Sequence, residues 1–194
     1  MELTTSTVVL LCAATLFATT YARGADGDQL VAKTCANIMG HGWERRFTEN
    51  FCKSTLQHDK RSTAAKHPRD LAIIAIDLAQ RAVTDMDAKI DGVLRSGPAG
   101  NHIDNLQYCR LDYATVASTI PVCRATVINY KPDGDQLQLA PNDYFECVHK
   151  LRRGTLKCYR RIFLLSKLRE EVGETWERTL LVAATPSVPE NMQL

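Results

Sequence analysis

From Asp70 onward the apolar positions recur at steps of three and four, not at the step of two that a half-buried strand requires. Leu71, Ile74, Leu78, Ala82, Met86, Ile90 and Val93 mark one such run, which stops at Gly97-Pro98. Pro68 stands just ahead of its first apolar turn, where a missing N–H costs little. The next run is the most regular: Leu106, Cys109, Tyr113, Val116, Ile120, Cys123, Val127 and Tyr130. Pro121 falls inside it and predicts a kink, because its ring removes the bond to the Ala117 carbonyl. Lys131-Pro132-Asp133-Gly134-Asp135 reads as the turn that ends this helix. A third run, Tyr144, Cys147 and Leu151, reaches Gly154, and a fourth carries Ile162, Leu165, Leu168, Val172, Trp176 and Leu180. Four amphipathic helices with short connections predict an all-α, antiparallel four-helix bundle. Leu30 to Leu56 adds shorter helical pieces, an N-terminal helical hairpin with Cys35 and Cys52 placed to staple it.

The ends carry a different pattern. Val8 to Ala18 is an uninterrupted apolar run, too short to span a bilayer and followed by small residues, so residues 1–24 read as a secretory signal peptide. Cleavage after Ala22 or Gly24 satisfies the small-residue rule. Residues 25–185 then form a single helical domain, and 186–194 a tail without periodicity. No later stretch has the roughly twenty apolar residues of a membrane helix, which predicts no membrane anchor after cleavage.

That compartment decides how the cysteines are read. Of seven, Cys12 lies in the leader, leaving Cys35, Cys52, Cys109, Cys123, Cys147 and Cys158. An even number in an oxidising compartment predicts three disulfides. No Cys-X-X-Cys pair occurs and the histidines His41, His58, His67, His102 and His149 are scattered, so a zinc site is not expected. In an antiparallel hairpin turning near Asp133, level residues have roughly constant index sums. Cys109 with Cys158 and Cys123 with Cys147 meet that condition as two nested rungs. Cys109 with Cys147 needs a register offset, or a helix that starts only at Asn142.

Charge changes the picture little. There are 24 Lys plus Arg against 22 Asp plus Glu, a formal net charge of +2, without the dense basic stripe of a nucleic-acid binder. Arg152-Arg153 and Arg160-Arg161 read as solvated helix faces, although Arg also favours interfaces. A search for catalytic chemistry finds no Gly-X-Ser-X-Gly elbow, no His-Glu-X-X-His, no phosphate loop and no Gly-X-Gly-X-X-Gly. Asp85 with Asp87 reads as a solvated helix face and Asp133 with Asp135 as a turn, not as glycosidase pairs. His149 follows Cys147 by two, but a disulfide cysteine is no nucleophile. Tyr113 and Tyr130 fall on the apolar stripe and are expected in the core. Trp43 and Trp176 leave open an interior that holds an apolar ligand. No catalytic residue, cofactor or metal is expected. No Asn-X-Ser/Thr sequon is present, only the rarer Asn50-Phe51-Cys52.

Taken in order, these features resemble the plant invertase/pectin methylesterase inhibitor family. They are the leader, Cys35 and Cys52 around a short hairpin, Pro68-Arg69-Asp70-Leu71-Ala72 opening a long helix, Cys109-Arg110-Leu111-Asp112-Tyr113 on the next, and Cys147 before the last. No single motif is specific; the order and spacing carry the resemblance. It implies a four-helix bundle with an extending hairpin, and a secreted, non-enzymatic protein that binds stoichiometrically over the active-site cleft of a plant pectin methylesterase or an acid invertase. It also implies bridges Cys35–Cys52 and Cys109–Cys147, which leaves Cys123 and Cys158 over.

Departures from the family pattern are His67, where an Asp commonly precedes the helix-starting Pro, and Tyr108, where an Asp commonly precedes the third Cys. The Pro-Lys-Phe tripeptide of invertase-directed members does not occur in the chain, which tilts the expected target toward pectin methylesterase. The expected contact region is the set of exposed polar positions between Cys109 and Arg153, and the expected location is the apoplast or cell wall, with the vacuole as the alternative. A secreted helical carrier of a small apolar ligand is the competing reading; its usual plant form has adjacent Cys-Cys and Cys-X-Cys pairs, absent here.

Overall fold

Each long apolar run becomes a helix. The structure, a computed structural model, describes residues 26–36, 47–98, 100–129, 139–162 and 166–185. The expected leader (1–24), the tail (186–194), Trp43, Tyr130, Leu165 and the turn at Asp133 lie outside the described residues. Helix α1 covers residues 26–36. It is followed by α2 (Glu49–His58), a 3-10 turn (Lys60–Ala64), α3 (Pro68–Arg95), α4 (Gly100–Asn129), α5 (Leu139–Arg161) and α6 (Ser166–Ala184). No strand occurs among the described residues.

Local chemistry sets the ends of α3. Pro68 takes the first helical position, and the Asp70 carboxylate one turn in accepts the backbone N–H groups of Lys66 (2.9 Å) and His67 (3.0 Å), donors with no partner inside the helix. At the other end Gly97 adopts φ +73°, the left-handed conformation that closes a helix, and Pro98 prevents continuation.

The order of contacts along each seam fixes the topology. Arg110 of α4 bonds Asp87 and Asp91 of α3, Arg124 bonds Asp77, and the Ile128 carbonyl accepts from Arg69, so one helix descends as the other ascends. Cys109 joins Cys158 and Cys123 joins Cys147, which makes α5 antiparallel to α4. Tyr144 reaches the Val182 carbonyl, Thr155 meets Thr179 at 2.9 Å, and Tyr159 stacks on Trp176, so α6 reverses again. Lys89 to Glu171 at 2.9 Å closes the ring between α3 and α6. The result is an up-down-up-down bundle around Ile76, Met86, Ile90, Leu106, Tyr113, Ile120, Leu151, Val172 and Leu180, all buried. Val31, Phe47 and Leu56 of the stapled hairpin extend the same core, with Cys35 bonded to Cys52.

Three details differ from the expectations. First, α5 does not stop at Gly154 but continues to Arg161. Gly154 is there for close approach: a Cβ would run into the Val116 Cγ2 methyl and lie 3.4 Å from the Asp112 carbonyl oxygen. Second, the final helix begins at Ser166, with Ile162 in a turn. Third, the pairing implied by the family, Cys109 with Cys147, gives way to the nested one, because an α5 that runs from Leu139 to Arg161 brings Cys158 level with Cys109. The helix continues through Pro121, whose ring is exposed.

Candidate protein-docking face

α4 is pinned on both flanks, and this positions its outer surface. On one flank the two disulfides hold it to α5 with Cα–Cα separations of 4.5 and 5.5 Å. On the other, Arg124 donates to Asp77 at 3.1 Å and Arg110 to Asp91 at 2.8 Å. The helix spends its buried positions on Leu106, Cys109, Tyr113, Val116, Ile120, Cys123 and Val127, the run visible in the sequence.

A second run with the same spacing lies on the outside. Tyr108, Leu111, Thr115, Ser118 and Val122 follow steps of three and four and share one stripe. Tyr108, Leu111 and Val122 are 53, 63 and 60 % exposed, large apolar groups where a lone bundle helix ordinarily carries charge. The hydroxyls between and beside them do not restore polarity. Thr115 donates to the Leu111 carbonyl (3.0 Å), Ser118 and Thr119 to the Thr115 carbonyl (2.9 and 2.8 Å), and Thr126 to the Val122 carbonyl (3.0 Å). Their donors are used within the helix, leaving methyl groups and single acceptors to face outward.

From Leu111 to Asn129 the only charged residues are Asp112 and Arg124, and both are engaged with neighbouring helices. At the N-terminal end of the stripe the Arg161 guanidinium lies 4.9 Å from the centre of the Tyr108 ring while it donates to Asp112 at 3.2 Å. That clamp restrains the largest exposed side chain and lowers the entropy it has left to lose on binding. The surface is thus apolar, nearly uncharged and held to its neighbours on both flanks, chemistry suited to a protein partner.

The expected contact region is the set of exposed polar positions between Cys109 and Arg153; on α4 the outward surface in this region carries apolar side chains and hydroxyls. The reason is that Thr and Ser in a helix bond their own backbone. The signal was present as a second three-four run, hidden beneath the stronger core run two residues away. Tyr113 and Trp176 are in the core; burial pushes the Tyr113 phenol far above its ordinary value, with the Thr175 hydroxyl pulling the other way. Asp87 is tied to Arg110, Asp85 is exposed, and His149 is exposed on α5. A depression at the junction of the 3-10 turn and α3 is lined by Asp59, Arg61, Asp77, Gln80 and Arg81, a charged lining that does not suit an apolar ligand.

Among the described residues no helix is long and apolar enough to cross a membrane, and no three His, Cys, Asp or Glu side chains are grouped to hold a metal ion. Compared with curated proteins, the chain finds no match. Residues 29–149, well over half of the chain, match the sequence profile of the family described as plant invertase/pectin methylesterase inhibitor.

Proposed function

The chain belongs to the plant invertase/pectin methylesterase inhibitor family, and from that premise we propose that it is a secreted protein inhibitor of a plant pectin methylesterase, binding one to one over the active-site cleft of the enzyme. The observation that carries the proposal is the outer stripe of α4. Inhibition by occlusion needs no catalytic group; it needs a preformed surface that loses little entropy on docking, and a disulfide-held helix with satisfied hydroxyls provides one. Over Tyr108 to Val122 the stripe runs about 21 Å, long enough to contribute the centre of a standard interface. Tyr108 is the expected anchor, since aromatic side chains dominate interface hot spots. On this reading the leader through residue 24 directs the protein to the cell wall, and the absence of Pro-Lys-Phe tilts the target toward the esterase.

Titration of the oxidised, processed protein against a plant pectin methylesterase, with an acid invertase in parallel, tests this. Loss of esterase activity that saturates near equimolar ratio, with invertase unaffected, is the expected result. Loss of invertase activity instead would reassign the target, and no loss of either would overturn the inhibitor reading. Leu111→Asp should weaken inhibition by two orders of magnitude or more, because it places an unpaired charge at a dry interface, while the melting temperature stays within about a degree. Tyr108→Ala should weaken it about 30-fold, the size of a 2 kcal/mol hot spot.

A further inference from the structure

The basic side chains of the bundle divide into two populations. Those of α3 and α4 are all engaged: Arg69 with the Ile128 carbonyl, Arg81 with Asp59, Lys89 with Glu171, Arg95 with Asp91, Arg110 with Asp87 and Asp91, and Arg124 with Asp77. On α5, Arg161 is engaged with Asp112, and Arg152 also has a partner. Lys150, Arg153, Lys157 and Arg160 have none among the described residues, and all four are exposed.

These four are spaced three, four and three residues apart, so they form one row along the outside of α5, about 15 Å long. Exposed His149 lies on the same side, and Glu146 one turn before Lys150 is the nearest carboxylate on the helix. Like charges at this spacing repel and weaken a helix unless something offsets them. Each Arg–Arg dipeptide is split, with one residue, Arg152 or Arg161, engaged and its neighbour left in the row.

We propose that the row on α5 binds a linear polycarboxylate polysaccharide, the de-esterified chain that a pectin methylesterase leaves behind as each methyl ester becomes a carboxylate. The choice of polymer rests on the proposed target; the row itself does not. Regularly spaced anions match regularly spaced cations, and binding releases the counterions condensed on the polymer, which makes it steeply salt-dependent. The inhibitor then accumulates where its enzyme has already worked, and its distribution in the wall follows the product.

The test measures binding of the purified protein, without enzyme, to polygalacturonate and to the fully methyl-esterified polymer at low and at physiological salt. The expected result is binding to polygalacturonate that falls at least tenfold between the two salt conditions, with no measurable binding to the esterified chain. Arg153→Gln combined with Lys157→Gln should weaken it about tenfold, whereas Lys60→Gln combined with Lys66→Gln, which removes the same charge from the exposed hairpin side, should leave it within twofold. Circular dichroism confirms that both variants fold. Equal binding by the two double variants, or equal affinity for both polymers, overturns the proposal. So does a row variant that keeps polygalacturonate but loses inhibition of the esterase, because the row then belongs to the enzyme interface. A row variant that inhibits normally but no longer binds the polymer supports it, and because the esterase titration is read separately, failure of either reading leaves the other standing.

Discussion

The two flanks of α4 are built on opposite principles. Toward α5 the seam is covalent and tight, with two nested disulfides and a glycine at closest approach. Toward α3 it is ionic at its rim, with Arg110 and Arg124 reaching part-exposed carboxylates. A covalent seam resists salt and acid and yields to reductant, whereas an exposed ionic seam does the reverse and contributes little at neutral pH. The outer stripe sits beside the covalent seam, so it is held by the bonds that acidity and ionic strength affect least.

The largest expected effect comes from cutting that seam. Cys109→Ser with Cys158→Ser should lower stability by about 2–4 kcal/mol, a drop in melting temperature of about 5–15 °C for a chain of this size. Identical melts for wild type and variant would mean that the seam is held by packing alone. Next is Gly154→Ala. Helix propensity favours alanine by about 1 kcal/mol, but the Cβ would press on the β-branched Val116, and overpacking typically costs about 1–3 kcal/mol. A fall in melting temperature is therefore expected, and a rise would show that α5 can move away from α4.

The ionic side predicts smaller changes. Asp59 accepts from Arg61 at 2.8 and 3.0 Å and from Arg81 at 3.1 Å, and Arg61 passes the network to Asp77, which Arg124 also reaches. The Arg61 hydrogen bond chiefly, against the pull of burial, holds the Asp59 carboxyl well below its usual range. Because the folded value lies below the unfolded one, the contribution is complete above about pH 3.8 and is lost as pH falls further toward the folded value. Melts from pH 7 to pH 2 should stay level for this contribution down to about pH 4 and then decline, and Asp59→Asn should show a smaller decline below pH 4 than wild type. A wild-type decline already complete at pH 5 would assign the acid response to other groups. Smallest of all, Arg124→Met should cost less than about 1 kcal/mol, and 1 M NaCl should reproduce most of that loss in the wild type.

The contrast also explains what could be read from the sequence. The core runs of α3 and α4 were legible because hydrophobic burial imposes a strict period, and the nested cysteine pairing was legible as one of two options because antiparallel geometry constrains level positions. Gly154 was misleading: a helix interior and a helix end both accept glycine, and only the position of Val116 on the neighbouring helix distinguishes them. The outer stripe was obscured because Thr115 and Ser118 count as polar in a sequence, whereas in the helix their donors turn inward. The row on α5 was obscured for a related reason. Arg152-Arg153 and Arg160-Arg161 look like two equal clusters until Asp112 takes Arg161 and Arg152 is engaged, leaving single cations on one helical face. For Gly154 and the row on α5 the missing information was the identity of a neighbour distant in the chain; for the stripe it was the bonding of hydroxyls to carbonyls of their own helix.

The nesting of Cys123–Cys147 inside Cys109–Cys158 has a consequence for proteolysis. Every peptide bond between Asn129 and Leu139 lies within both covalent loops, so a protease that cuts there produces two fragments still joined by two bridges. Such a nicked molecule would keep its bundle and its outer stripe, migrate as one species without reductant and as two with it. A single cut in this region of the backbone therefore leaves one covalently connected molecule.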